Sequence, residues 1–145
     1  MKTVKTVLFL CSGNYYRSRL AEVLFEREAR RRGLGWRAIS RGFRLSANNV
    51  GPISPHALEA LAERNIETPA AERYPQVVTR ADLEQADLIV AVKESEHRPK
   101  AQVAFPDWVE RIEYWAIDDI DCAEPAQAVP LLEAEALRLV ERLAG

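Results

Sequence analysis

The apolar run Val7-Leu8-Phe9-Leu10 ends abruptly at Cys11, and Ser12-Gly13-Asn14-Tyr15-Tyr16-Arg17-Ser18 follows before a helical pattern sets in. No other stretch constrains the fold as strongly. A near-continuous β-prone run from Val4 to Leu10 suits a strand buried on both faces, as in a parallel sheet. Parallel strands need crossovers, which are almost always right-handed. Ligands of such sheets lie beyond the carboxyl ends of the strands. The sequence therefore sets a thiol at a strand end and a run of backbone N–H groups at a helix start. That is a nucleophile facing an anion site.

The rest of the chain keeps the alternation. Leu20, Ala21, Leu24, Phe25 and Ala29 form a helical stripe, and Gly33 supplies its stop. Trp36 to Ser40 reads as a second strand, and Arg41 to Pro55 as a loop. Ser54-Pro55 opens a helix carrying Ala57, Leu58, Leu61 and Ala62. Glu67 to Gln76 is expected to be irregular. Thr79-Arg80-Ala81-Asp82 resembles a capping box and opens a short helix. Asp87 to Val92 is the clearest core strand. Glu94 to Val103 has a helical pattern that Pro99 is expected to kink or interrupt. Ile112 to Ile117 reads as a fourth strand, 118 to 125 as an acidic loop, and Leu131 to Leu143 as a final amphipathic helix. Strands alternating with helices predict an α/β fold with a parallel sheet. Cys11 and the carboxylates of Asp118, Asp119 and Asp121 then face one crevice.

At 145 residues the chain is expected to form one domain, residues 1–145. A net charge of −2 gives no global pull toward nucleic acid or an anionic membrane. Met1-Lys2-Thr3-Val4-Lys5 begins like a signal peptide, but the apolar stretch after it is too short, so a cytoplasmic protein is expected. Two cysteines, Cys11 and Cys122, make no disulfide framework and lack metal-ligand spacing. Thiol chemistry is the better reading of Cys11.

In a loop wrapped around an anion, successive N–H groups point inward and form a nest. The following helix adds the positive end of its dipole. Arg17 can fold back and grip two oxygens in a fork. Gly13 is expected to adopt backbone angles closed to other residues. Asn14 tolerates left-handed geometry and can tie the loop internally. Ser18 can donate a hydrogen bond to the thiolate. Together these features favour ionised Cys11. A proton donor for the leaving oxygen is expected among Asp118, Asp119 and Asp121. His56 and His97 have no partners close in sequence, and neither is assigned to catalysis.

Cys11, Gly13, Asn14, Arg17 and Ser18, followed by Ala21-Glu22, resemble the phosphate loop of the low-molecular-weight protein tyrosine phosphatases, Cys-X5-Arg-Ser/Thr. Ser40-Arg41-Gly42, Val50-Gly51-Pro52 and Ala86-Asp87-Leu88-Ile89-Val90 look like later segments of the same family, and Trp115-Ala116-Ile117-Asp118-Asp119 lines up with its Trp-Gly-Ile-Pro-Asp pattern. The resemblance implies a three-layer sandwich around a four-stranded parallel sheet, with no metal and no cofactor. It implies catalytic roles for Cys11, Arg17 and Asp119, and phosphate binding by Ser12, Gly13, Asn14, Tyr15, Tyr16, Arg17 and Ser18. The reaction implied is hydrolysis of phosphate monoesters, with protein phosphotyrosine as substrate, through a cysteinyl-phosphate. The implied partners are a phosphorylated protein or a small phosphomonoester, with phosphate or sulfate in the loop and neither nucleic acid nor membrane.

Departures from the family pattern are specific. Tyr16 stands where a second cysteine is common, Arg19 where proline follows Arg-Ser, and Asn48 where an aromatic walls the pocket. Tyr15 replaces the small threonine of phosphoarginine phosphatases. An arsenate reductase of the same fold is an alternative, although its thioredoxin-linked branch needs two further cysteines that this sequence lacks between Ser12 and Asp121. A catalytically weak phosphate- or protein-binding homologue is another.

Overall fold

The structure, a computed structural model, describes residues 4–145, so the first three residues of the signal-like opening lie outside the described residues. Four parallel strands form one sheet in the order β2-β1-β3-β4: β1 Lys5–Cys11, β2 Trp36–Gly42, β3 Leu88–Ala91 and β4 Glu113–Tyr114. The helices are α1 Arg17–Arg31, α2 Pro55–Glu63, α3 Arg80–Gln85, α4 Glu94–Ala104 and α5 Pro125–Ala144.

The alternation of side chains along β1 divides the core. Val7, Phe9 and Cys11 pack with residues of α1, α2 and α5, whereas Leu8 and Leu10 pack with residues of α3, α4 and a 3-10 segment Pro106–Arg111. A strand apolar at every position needs helices on both faces, and this fold supplies them. The result is the expected three-layer α/β arrangement. Thr79 and Asp82 form the capping box that their spacing implies. Gly33 ends α1 at φ 67°.

Several elements differ from their sequence pattern. Only Glu113–Tyr114 of the expected fourth strand joins the parallel ladder. Beyond it the chain stays bonded to the end of β3 through Trp115 N–H to Ala91 O (2.9 Å) and Ile117 N–H to Val92 O (2.8 Å), with an antiparallel bridge between Lys93 and Ala116. That change of pairing aims the acidic loop back toward β1. A short 3-10 turn, Pro69–Glu72, interrupts the segment expected to be irregular. In α2 the buried residues are Ala57, Ala60 and Leu61, while Leu58 is exposed and Ala62 faces outward, so the apolar stripe is narrower than the sequence suggests. α4 runs through Pro99 without a break. α5 starts at Pro125, six residues before the periodic pattern, because proline is at home in a first helical turn. Pro130 is carried on its exposed side.

Candidate active site

Cys11 ends β1, buried, and α1 begins at Arg17, so residues 12–16 have to turn the chain within a few ångströms of the β2 end. Phe43 N–H bonds Cys11 O at 3.0 Å and Arg44 N–H bonds Ser12 O at 2.9 Å, which seats the loop on the segment just after β2. Gly42 makes that approach possible. A Cβ there would lie 2.8 Å from Asn14 N, 2.8 Å from Ser12 O and 2.9 Å from Gly13 C, all backbone atoms. Gly13, in contrast, does not have a positive φ. It is small because a Cβ would stand 3.3 Å from the Asn49 amide, and the left-handed residue of the loop is Asn14 at φ 51°.

Asn14 is fully buried and every polar atom of its side chain is used. Its amide donates to Ser18 Oγ (2.8 Å) and Ser40 Oγ (3.0 Å), while its carbonyl accepts from Arg73 (3.2 Å) and Gln76 N–H (3.0 Å). Ser40 Oγ in turn donates to Glu22 Oε1 at 2.6 Å. Asn14 donates to Ser18 Oγ, which frees the Ser18 proton for Cys11 Sγ, 2.9 Å away. This is the contact expected between Ser18 and the thiol.

Arg17 is buried to 2% exposure and its five N–H donors divide cleanly. Nη1 donates to Glu96 Oε1 (3.1 Å) and Ile117 O (3.0 Å), and Nη2 donates to Glu96 Oε2 (2.7 Å). The Nε–Nη2 edge is left for an anion, a planar fork fixed from behind. Burial alone would push the Arg17 guanidinium down; its bond to Glu96 and the charges of Cys11 and Asp119 overcome this and raise it. Burial likewise pushes the Glu96 carboxyl up, but hydrogen bonds from His97, Arg17 and Ser12 hold it well below the usual range. Ser12 Oγ donates to Glu96 Oε2. His97 is fully buried; its Nδ1 accepts from Lys93 N–H (3.1 Å), so the neutral ring carries its proton on Nε2, facing Ser12 Oγ and Glu96 Oε2, each at 3.2 Å.

Of the three candidate acids, Asp119 alone lines the cleft with Cys11 and Arg17. Its Oδ2 lies 3.4 Å from Arg17 Nη2, and its side chain is 37% exposed. Asp118 turns to Lys93 at 2.8 Å, and Asp121 lies against Cys122. The cleft, about 470 Å³, is walled by Tyr15, Tyr16, Asn49 and His56, with Arg44 at its margin. Tyr15 is anchored by its hydroxyl to Val50 O at 2.6 Å. Tyr16 stacks edge-on to His56, and its buried hydroxyl has no hydrogen-bond partner among the described residues. Asn48 is not part of the wall; Asn49 takes that place.

The profile of the low molecular weight phosphotyrosine protein phosphatases matches residues 6–141. The chain belongs to that family. It is thus an enzyme of the phosphatase type, built around a cysteine loop. The protein-arginine-phosphatase of Bacillus subtilis (strain 168) is 40% identical over 86 residues, 59% of this chain and 54% of that protein, so the match spans about half of that relative's length. Arsenate reductase 1 of Bacillus cereus is 30% identical over 119 residues, 82% of this chain and 79% of that one. Among solved structures, a Cys-to-Ser mutant of the YwlE arginine phosphatase with a phosphorylated active-site serine aligns with a TM-score of 0.80 at 26% identity, covering 96% of this chain and 95% of that one.

The phosphate loop, Arg17 and the acidic loop of this family were readable as sequence, but the hydrogen-bonded group of Ser12, Glu96 and buried His97 was not. A usable signal existed: Glu96 and His97 stand in the first turn of the helix after β3, the end of the sheet where ligands gather.

Proposed function

We propose that this chain hydrolyses phosphate monoesters, with protein phosphotyrosine as the substrate, and that Cys11, Arg17 and Asp119 carry the reaction in the cytoplasm, where a free thiol stays reduced. The observation that carries the reading is the convergence of the Cys11 sulfur, the open Arg17 fork and the Asp119 carboxyl on one cleft. In the first step Cys11 Sγ attacks phosphorus; an S–P bond forms and the P–O ester bond breaks. The electron pair leaves on the ester oxygen, which takes the Asp119 proton. Then water attacks the cysteinyl-phosphate, gives its proton to Asp119, and the S–P electron pair returns to sulfur. The amides of residues 12–18 and the Arg17 fork hold the equatorial oxygens throughout. A phosphorylated active-site serine in a Cys-to-Ser mutant of the YwlE relative supports a covalent phosphoryl group on the nucleophile. We assign all of residues 1–145 to one such domain.

The ring of Tyr15, held by its bond to Val50 O, gives the cleft an aromatic flank for a phosphoryl-bearing phenol ring. The test is turnover of phosphotyrosine peptides, phosphoarginine and arsenate, measured in parallel. Preferential turnover of phosphotyrosine supports the assignment. Preferential turnover of phosphoarginine, the substrate class in the name of the 40%-identical relative, reassigns it.

A further inference from the structure

Arg19 is 2% exposed, and no carboxylate lies within ion-pair distance of it among the described residues. Its terminal nitrogens bond only backbone carbonyls: Nη1 to Asn14 O (3.3 Å) and Pro52 O (2.8 Å), Nη2 to Ala70 O (2.8 Å) and Arg73 O (2.5 Å). One buried cation thus joins the phosphate loop, the loop before α2 and the 3-10 turn. Burial first, and the neighbouring Arg73 second, push its guanidinium down to about 10, which leaves it charged at neutral pH.

The distribution of charge around the loop gives this cation a role. Arg17 faces Glu96 at 2.7 Å and Asp119 at 3.4 Å, two carboxylates to one guanidinium when Asp119 is ionised. On the other side of the loop, Arg19 and Arg73 stand against Glu22 alone, which is 3.4 Å from Arg73. Apart from Arg44 at the cleft margin, the net positive charge lies behind Asn14, not at Arg17. A carbonyl-bound buried cation is costly unless an anion nearby balances it.

We infer that Arg19 is a positioning residue that holds the phosphate loop from behind and supplies uncompensated positive charge that helps draw the phosphoryl dianion into it. The inference rests on the loop being the anion site proposed above. A unit charge about 10 Å from a singly charged anion, at an effective dielectric of about 20, changes binding on the order of tenfold, and from a dianion by more.

Inorganic phosphate as a competitive inhibitor of aryl phosphate hydrolysis reads this out. Arg19→Met is expected to weaken phosphate inhibition roughly tenfold. Arg19→Lys, which keeps the charge but loses the fork, is expected to retain most of the affinity while melting at a lower temperature. Equal weakening in both variants would mean a purely structural role and overturn the inference. Because Arg19→Met carries a risk of misfolding, Glu22→Gln provides an independent arm: removing the balancing negative charge should tighten phosphate inhibition, and unchanged or weaker inhibition overturns the inference. Wild-type protein that phosphate does not inhibit at all would instead overturn the anion-site reading beneath it.

Discussion

Three side chains divide the proposed chemistry, and each can be tested alone. Cys11→Ser should abolish steady turnover while phosphate binding persists, since the loop amides and Arg17 remain and a serine hydroxyl is a much weaker nucleophile near neutral pH; calorimetric titration with phosphate alongside kinetics checks both halves. Arg17→Lys should lower kcat on the order of a hundredfold or more, because a point charge cannot bond Glu96 and Ile117 O on one edge and phosphoryl oxygens on the other. Retention of most of kcat would mean that the Nε–Nη2 edge does not face the anion. Asp119→Asn should slow alkyl phosphates and unactivated phenols more than activated aryl phosphates, which depart with little protonation. Equal slowing of both classes would remove Asp119 from the donor role.

Elements place these residues, and they differ in how openly the sequence declares them. β1, the phosphate loop and the start of α1 were legible because apolar run, cysteine, asparagine and arginine are contiguous, so local chemistry and local geometry coincide. The capping box at Thr79 was legible for the same reason. The two-residue β4 was not, since the chain keeps its extended, apolar character through Ile117 while its partners change from a parallel ladder to a bridge at Lys93. Nor were the roles of Glu96, His97, Arg19 and Arg73, each of which also has partners distant in sequence that meet only after the sheet closes. Gly42 belongs with them: its need for no side chain arises from a loop about thirty residues earlier. Gly42→Ala should displace Asn14 and Ser12, cost about 1–3 kcal/mol and weaken phosphate binding; denaturant melts and phosphate titration check it, and an unaltered variant would contradict the close approach.

At the scale of the whole molecule, no described helix is long and apolar enough to cross a membrane. Two groups, buried His97 and half-buried Glu96, tie the stability of the fold to pH. Burial holds His97 below its ordinary value of 6.5, so the folded chain binds that proton less readily than the unfolded one. The stability conferred by neutral His97 is complete above 6.5 and is lost as pH falls from there through the folded value. Glu96 is held below its ordinary 4.5, so its contribution is present above 4.5 and lost as pH falls toward its folded value. The melting temperature should therefore fall between pH 7 and pH 5, then fall again in stronger acid, and His97→Gln should flatten the first limb. A wild-type melting temperature constant between pH 7 and pH 5 would contradict this account of His97.

The proposed reaction requires Cys11 to become covalently phosphorylated. Asp119→Asn, given an activated aryl phosphate, loses the base that activates water and should accumulate the intermediate. Rapid quenching followed by mass spectrometry of the Cys11 peptide tests this directly. The predicted result is a phosphoryl group on the Cys11 sulfur that appears before the steady state and is absent from Cys11→Ser mixed in the same way, where any label lies on the serine oxygen. Turnover with no phosphoryl group on Cys11, or with the group on another residue, would contradict the account.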